Sequence, residues 1–166
     1  QPIVRCPGAE AREVRNVGIL DCSPEKDDGY LSYIPGEFIV TNLGFARDDP
    51  ELSERSLLVL IERGVSAIAL KKVYTPIVNE LVRTASEDAG VPLYFYDGAY
   101  HEVVAYQALD LIHRDSEQSN KGRFLDNLLS GHDPLATRAA LFELAGTTGS
   151  TVQCIAVAPR ALDECS

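Results

Sequence analysis

The fold of this chain is decided by residues 35–44, the stretch Pro35-Gly36-Glu37-Phe38-Ile39-Val40-Thr41-Asn42-Leu43-Gly44. A turn-forming Pro-Gly pair opens it, an apolar run with high β propensity follows, and small polar residues close it. This pattern is typical of a buried strand in a parallel sheet. The carboxyl end of such a strand would place Thr41 and Asn42 at the edge where open α/β sheets commonly bind ligands.

Strand-like and helix-like segments alternate around this stretch. Short β-prone runs predict strands, and longer runs with apolar residues three and four apart predict amphipathic helices. Further strands are predicted over residues 14–20, 65–73 and 91–96, helices over 51–63, 76–89 and 102–113, and a weak strand signal lies at Ile3 and Val4. Because parallel strands need crossover connections, this order predicts an α/β fold, a small and mostly parallel sheet with crossover helices.

The rest of the chain is organised differently. Residues 114–122 are polar enough to be either a linker or the exposed part of one long helix. An amphipathic segment at 124–129 and a helix at 134–144 follow, and residues 152–157 have the pattern of one strand of a second domain. We therefore predict a first domain over 1–113 and, over 114–166, a helical connector with the beginning of a truncated second domain.

The charge balance restricts the possible partners. The chain has 166 residues and a formal net charge of −10, from 25 acidic and 15 basic side chains. Such a surface repels phosphate backbones, and no basic stripe offsets it, so contact with DNA would need another segment. The apolar runs are shorter than a membrane span and no secretory leader is recognisable, so we expect a soluble cytoplasmic protein without membrane contact.

Two aspartates follow predicted strand ends. Asp21 follows the first of these strands and Asp97 the last, so both could lie along one sheet edge and hold a metal ion or act as a base. The competing interpretation is that each carboxylate caps the backbone of the next element.

Lys71 and Lys72 close another predicted strand. A lysine there, near Thr41 and Asn42, could bind a phosphate or carboxylate together with helix amides. It could equally be a solvated strand end. Our hypothesis for a ligand site combines the strand-end side chains Thr41, Asn42, Lys71 and Asp97.

Catalytic patterns are not recognisable in the sequence. No Ser or Cys lies in a nucleophile elbow, no two histidines have metal spacing on one helix face, and neither GxGxxG nor a P-loop occurs. The four cysteines, Cys6, Cys22, Cys154 and Cys165, form no close pair of the kind that zinc or redox motifs need. We therefore expect a protein that is not an enzyme and has neither a cofactor nor a metal.

Several segments in this order resemble a known family. They are Val14-Arg15-Asn16-Val17, the run Gly36-Glu37-Phe38-Ile39-Val40-Thr41 with Gly44, the turn Asp48-Asp49-Pro50, and Ala89-Gly90-Val91-Pro92-Leu93. Together they resemble the N-terminal domain of the PucR family of bacterial transcription regulators, named for purine catabolism, over residues 1–113. Residues 123–131 are similar to the helix that opens that family's middle domain, and residues 152–157 to its first strand.

The resemblance implies a regulatory domain that senses an effector or couples to other domains. DNA would then be bound by a C-terminal helix-turn-helix outside this sequence, and a small-molecule effector and a homodimer are expected. Two alternatives stay open. The sheet pattern also resembles the N-terminal domain of some Mur ligases, which would make the chain a substrate-binding module for a nucleotide or an anion, and the domain could instead serve only in dimerisation.

Overall fold

The computed structural model describes residues 1–23, 27–74, 76–130 and 133–146. The chain divides into two compact units, Gln1–Asp115 and Ser116–Ser166. This division lies close to the predicted domain boundary. The predicted strand at 152–157 lies outside the described residues.

In the described part of the chain, five strands form one sheet, in the spatial order β1-β5-β4-β3-β2. They are β1 (Pro2–Val4), β2 (Asn16–Leu20), β3 (Glu37–Thr41), β4 (Ala67–Lys71) and β5 (Leu93–Tyr96). Strands β2 to β5 pair in parallel, and the short β1 joins β5 antiparallel at one edge. The predicted α/β fold with a mostly parallel sheet is confirmed.

The same described part of the chain contains four α-helices, namely α1 (Pro50–Glu62), α2 (Glu80–Ala89), α3 (His101–Ser130) and α4 (Pro134–Ala145). The prediction that α2 begins at Pro76 is wrong. The helix begins after Asn79, whose side-chain oxygen accepts a hydrogen bond from the Val82 amide and so fixes the first turn. Of the two interpretations of residues 114–122, the structure shows the continuous helix, since they lie within α3.

The core lies on the sheet face that α1 and α2 pack against. Ile39 of β3, Ile68 and Leu70 of β4, and Leu93 of β5 are buried there with Leu57 and Leu60 of α1 and Val82 of α2. Burying an aliphatic side chain of this kind stabilises the fold by about 1.5–3 kcal/mol. Residues 35–44, which contain β3, therefore contribute to the centre of the core.

The opposite sheet face is only partly buried. Val40 and Ala69 on central strands are buried, whereas Ile19 of β2 and Tyr94 of β5 are 38% and 37% exposed. Because side chains alternate along a strand, these residues share one face with Lys71, the last residue of β4, and with Asp21, which directly follows β2.

The described part of the second unit is helical. α4 begins after Asp133, whose carboxylate accepts a hydrogen bond from the Leu135 amide at 2.9 Å, and it is capped at its end by Gly146, whose φ of 61° is favourable for glycine. Among the described helices of the chain, none has both the length and the hydropathy that a membrane span requires.

Candidate functional site

The loops that follow β3 and β4 lie at the carboxyl edge of the sheet. The first connects β3 to α1 and the second connects β4 to α2, and between them lies a cleft of about 240 Å³. This is the position at which open parallel sheets commonly bind ligands, because neighbouring loops leave a crevice there. The cleft lies entirely within the first unit.

The β3–α1 loop is shaped by the side chains of Thr41 and Asn42. The Thr41 hydroxyl donates to the Leu20 carbonyl at 2.6 Å and accepts from the Leu43 amide at 3.0 Å. The Asn42 side-chain oxygen accepts from the Gly44 amide at 2.6 Å, which closes a tight local turn. Thr41 is completely buried, so its hydroxyl supports the loop from beneath.

Leu43 shows how firmly this loop is held. It is the one non-glycine residue in the described part of the chain with a positive φ, 51°. A residue with a Cβ adopts this region at a cost of about 1–3 kcal/mol unless the surroundings compensate. The bonds from Thr41 and Asn42 on either side, together with the burial of the Leu43 side chain, provide that compensation.

The lining of the cleft is mixed in polarity. Its polar side chains are Asn42, Arg47, Glu51, Ser53, Glu54 and Asn79, and its apolar wall is Leu43, Ala46, Pro50, Tyr74, Pro76 and Ile77. Tyr74 and Ile77 are 44% and 71% exposed, so the cleft opens to solvent on the side of the β4–α2 loop.

Asn79 joins the two helices at one wall of the cleft. Its oxygen accepts from the Val82 amide at 3.0 Å, and its nitrogen donates to the carboxylate of Glu54 on α1. The α1 end is fixed similarly by Asp49, whose carboxylate accepts from the Leu52 amide at 3.0 Å. The first turns of α1 and α2 are therefore both capped by side chains, and the positive ends of the two helix dipoles lie beside the cleft.

The charges around the cleft favour a polar ligand that is not strongly anionic. Arg47 is the one basic residue of the lining, and Glu51 and Glu54 are acidic. The hydrogen bond and ion pair with Asp48, at 2.8 Å, raise the pKa of Arg47. A dianion would meet two carboxylates here, whereas a small molecule with amide or amine groups would find both donors and acceptors.

The Asn42 amide nitrogen is available as a donor. Its side-chain oxygen is occupied by Gly44, and the nitrogen makes no hydrogen bond to any residue that the structure describes. A side-chain amide held by one atom in a fixed turn is suited to hydrogen-bonding a ligand with the other.

Of the four side chains in the sequence-based hypothesis, the cleft lining includes Asn42 and none of the other three. Thr41 is buried beneath the loop. The Lys71 ammonium lies 4.9 Å from the centre of the Tyr100 ring. The Asp97 carboxylate accepts from the Gly98 amide at 2.7 Å, so it bonds within its own turn, outside α3.

Lys72 likewise points away from the cleft. Its ammonium lies 5.5 Å from the centre of the Phe95 ring and donates to the Gln1 side chain at 3.2 Å. Cation–π contacts of this kind contribute about 0.5–1 kcal/mol at exposed sites. Anion binding by Lys71 or Lys72 therefore stays a prediction, and the contacts of these two side chains do not support it.

Asp21 is paired with a residue that the sequence analysis did not select. Its carboxylate lies 3.3 Å from Nε2 of His101, at the start of α3, and not against Asp97. The other ring nitrogen, Nδ1, is 3.3 Å from the hydroxyl of Tyr96. Burial, and then the negative charges of Asp21 and Glu102, raise the pKa of Tyr96 to about 12.

Comparison with protein-family models, with curated proteins and with solved structures finds no significant match in any of the three. The resemblance to the PucR family therefore rests on the segments quoted above and stays a prediction.

Proposed function

We propose that the first unit is a regulatory module that binds a small polar effector in the cleft between the β3–α1 and β4–α2 loops. The observation that supports this most directly is the cleft itself, which lies at the carboxyl ends of two neighbouring parallel strands and is bordered by two capped helix ends. The fixed Asn42 turn and the Arg47 guanidinium would orient the ligand, and Tyr74 would cover one side of it.

The chemistry of the lining narrows the effector class. A neutral or singly charged molecule with several N–H and C=O groups matches the donors of Asn42 and Arg47 and the acceptors of Glu51 and Glu54. The resemblance to the PucR family makes purines and ureides the first compounds to test, followed by amino acids and then phosphorylated metabolites.

A thermal-shift screen tests the binding step, because a ligand that binds only the folded state raises its stability. We expect one class of compound to give a saturable shift. Arg47→Gln removes a charged donor and should weaken that compound at least about tenfold, since such a hydrogen bond contributes about 1.5–3 kcal/mol.

Arg15→Gln is the matched control. Arg15 is also exposed and also paired with a neighbouring carboxylate, Glu13 at 2.7 Å, but does not line the cleft. Equal binding by the two variants, or a screen without any shift, would contradict the proposal.

The regulatory role requires a separate test in the full-length protein. We expect the compound found in the screen to change transcription of a reporter, and Arg47→Gln to reduce that response while Arg15→Gln leaves it intact. A helix-turn-helix encoded downstream supports this role. A P-loop ATPase domain in that position would favour the alternative of an enzyme's substrate-binding module.

We also propose self-association through the first half of α3. Within the first unit, this helix exposes Val103, Tyr106, Leu109 and Leu111, of which Tyr106 and Leu111 are 72% and 65% exposed. Light scattering should give twice the mass of one chain, and Leu111→Glu should reduce it to that of a monomer. Leu31→Glu, at another exposed leucine, should leave the dimer intact. A monomeric wild-type protein would rule out this second role.

A further inference from the structure

Three side chains with metal-binding chemistry meet on the partly exposed side of the sheet. Asp21 follows β2, and His101 and Glu102 form the beginning of α3. One possible ligand atom from each lies within 4.8 Å of the other two, and Nε2 of His101 is 3.3 Å from the Asp21 carboxylate. The group lies apart from the cleft described above, whose lining includes none of the three.

His101 is held in the orientation that a metal ligand needs. Its side chain is only 13% exposed, and its Nδ1 faces the Tyr96 hydroxyl at 3.3 Å. Nε2 is therefore left to face the Asp21 carboxylate. Metal-binding histidines usually have such a partner on the second nitrogen, because it fixes the ring and selects the tautomer.

The charge balance of the group also points to a cation. Neither Asp21 nor Glu102 forms an ion pair with a lysine or arginine among the residues that the structure describes. Two carboxylates close together without a basic partner repel each other, and a bound cation would remove that repulsion.

The donor set selects among cations. Calcium and magnesium prefer oxygen ligands alone, whereas one imidazole nitrogen with two carboxylate oxygens suits zinc and its first-row neighbours. In a tetrahedral zinc site with bonds of about 2.0–2.2 Å, neighbouring ligand atoms lie about 3.4 Å apart. Closing from a spacing of up to 4.8 Å to this one requires the carboxylates to rotate, and both belong to exposed side chains.

We propose that Asp21, His101 and Glu102 form a binding site for a divalent transition-metal ion of the zinc type. The ion would connect the end of β2 to the beginning of α3, and the remaining coordination position would be open to water or another ligand. This site is independent of effector binding in the cleft, so either proposal can fail without the other.

The test measures zinc affinity of the metal-free chain by competition with a chelating dye. We expect one zinc ion to bind per chain and to raise the midpoint of thermal unfolding. Asp21→Asn, Glu102→Gln and His101→Gln should each abolish both effects. Tyr96→Phe should weaken binding by about 10- to 100-fold, the usual result of removing the partner of a ligating histidine.

Two controls separate this site from adventitious binding. Asp97→Asn removes another strand-end carboxylate, which serves only its own turn, and His113→Gln removes an exposed histidine elsewhere on α3. Both should keep the wild-type affinity. Wild-type zinc affinity in Asp21→Asn, Glu102→Gln or His101→Gln, or no zinc binding by the wild-type chain, would overturn the proposal. Asp21 and Glu102 are exposed, so their variants will fold even where His101→Gln does not.

Discussion

The hydroxyl of Tyr30 lies 2.6 Å from the hydroxyl of Ser56, and both side chains are buried. Ser56 also donates to the Leu52 carbonyl one turn earlier in α1, at 2.6 Å. A serine hydroxyl has a single proton to donate, so Tyr30 must be the donor in this pair. The contact joins the short 3₁₀ segment between β2 and β3 to the helix that covers the core.

Replacing each partner should therefore have unequal effects. Ser56→Ala leaves the buried Tyr30 hydroxyl without an acceptor and should lower the free energy of unfolding by about 1–3 kcal/mol. Tyr30→Phe leaves Ser56 its bond to Leu52 and should cost only about 0.5–1.5 kcal/mol. Urea denaturation measures both, with Ser32→Ala, at an exposed hydroxyl, as the control. A larger loss in Tyr30→Phe would contradict the assigned donor.

Arg12 connects three backbone positions that are far apart in the sequence. Its guanidinium donates to the carbonyls of Ala89 and Gly90 at 2.9 Å each, and to that of Val65 at 3.1 Å. Arg12→Lys keeps the charge but loses the planar fork, so we expect a loss of about 1–3 kcal/mol in the free energy of unfolding.

Arg114→Lys is the matched control for that measurement. Arg114 pairs with Asp110 one turn away on the surface of α3, at 2.8 Å. Exposed pairs of this kind contribute little, so this variant should change the free energy of unfolding by less than about 0.5 kcal/mol. If Arg12→Lys lowered the free energy of unfolding no more than Arg114→Lys does, Arg12 would act through its charge alone.

Gly44 and Gly122 should respond oppositely to alanine. A Cβ at Gly44 would lie 2.9 Å from both the Asn42 side-chain oxygen and the Tyr74 ring, so these side chains, which line the cleft, must move. We expect Gly44→Ala to cost about 1–3 kcal/mol, as overpacking does, and to abolish effector binding in the cleft.

A Cβ at Gly122, within α3, would meet nothing within 4 Å. Gly122→Ala should therefore stabilise the helix by about 0.5–1 kcal/mol and leave effector binding unchanged. Thermal unfolding with and without effector distinguishes the two effects. If Gly44→Ala bound the effector with wild-type affinity, the cleft would not be the effector-binding site.

The sequence predicted the sheet well because its strands are buried on the core face. Residues 35–44 contain an apolar run bounded by turn residues, and β3 occupies the middle of it. The beginning of α2 was misplaced because proline is common in a first helical turn, whereas the cap formed by Asn79 depends on its contact with Glu54 of another helix. Contacts of that kind are not encoded in local periodicity.

The candidate site was predicted only in part, for a similar reason. Asn42 was correctly placed at the sheet edge, but the burial of Thr41 depends on its bond to Leu20 on the neighbouring strand. The pairing of Asp21 with His101 depends on the path between β5 and α3, along which Tyr100 also reaches Lys71. The one available signal was the polar doublet His101-Glu102 directly after a strand and turn, which has no distinctive spacing.

Tyr33 should make the protein less stable at alkaline pH. Its hydroxyl donates to the Ile19 carbonyl at 2.9 Å. Burial first, and then the negative charges of neighbouring groups such as Cys22 and Glu37, raise the pKa of Tyr33 from 10.0 to about 12. Between these two values the unfolded chain loses this proton while the folded chain keeps it. The contribution of Tyr33 is therefore fully present below pH 10 and is lost as the pH rises towards 12.

Spectroscopic titration of tyrosinate absorbance should show Tyr33 in a late-titrating class, and Tyr33→Phe should remove one residue from it. The same variant should make the fall in unfolding free energy above pH 10 shallower, because one of the groups responsible is gone. Tyr100→Phe, at a side chain that is 73% exposed, is the control and should leave the slope unchanged. An unaltered slope in Tyr33→Phe would mean that the folded protein does not hold this proton more tightly than the unfolded chain does.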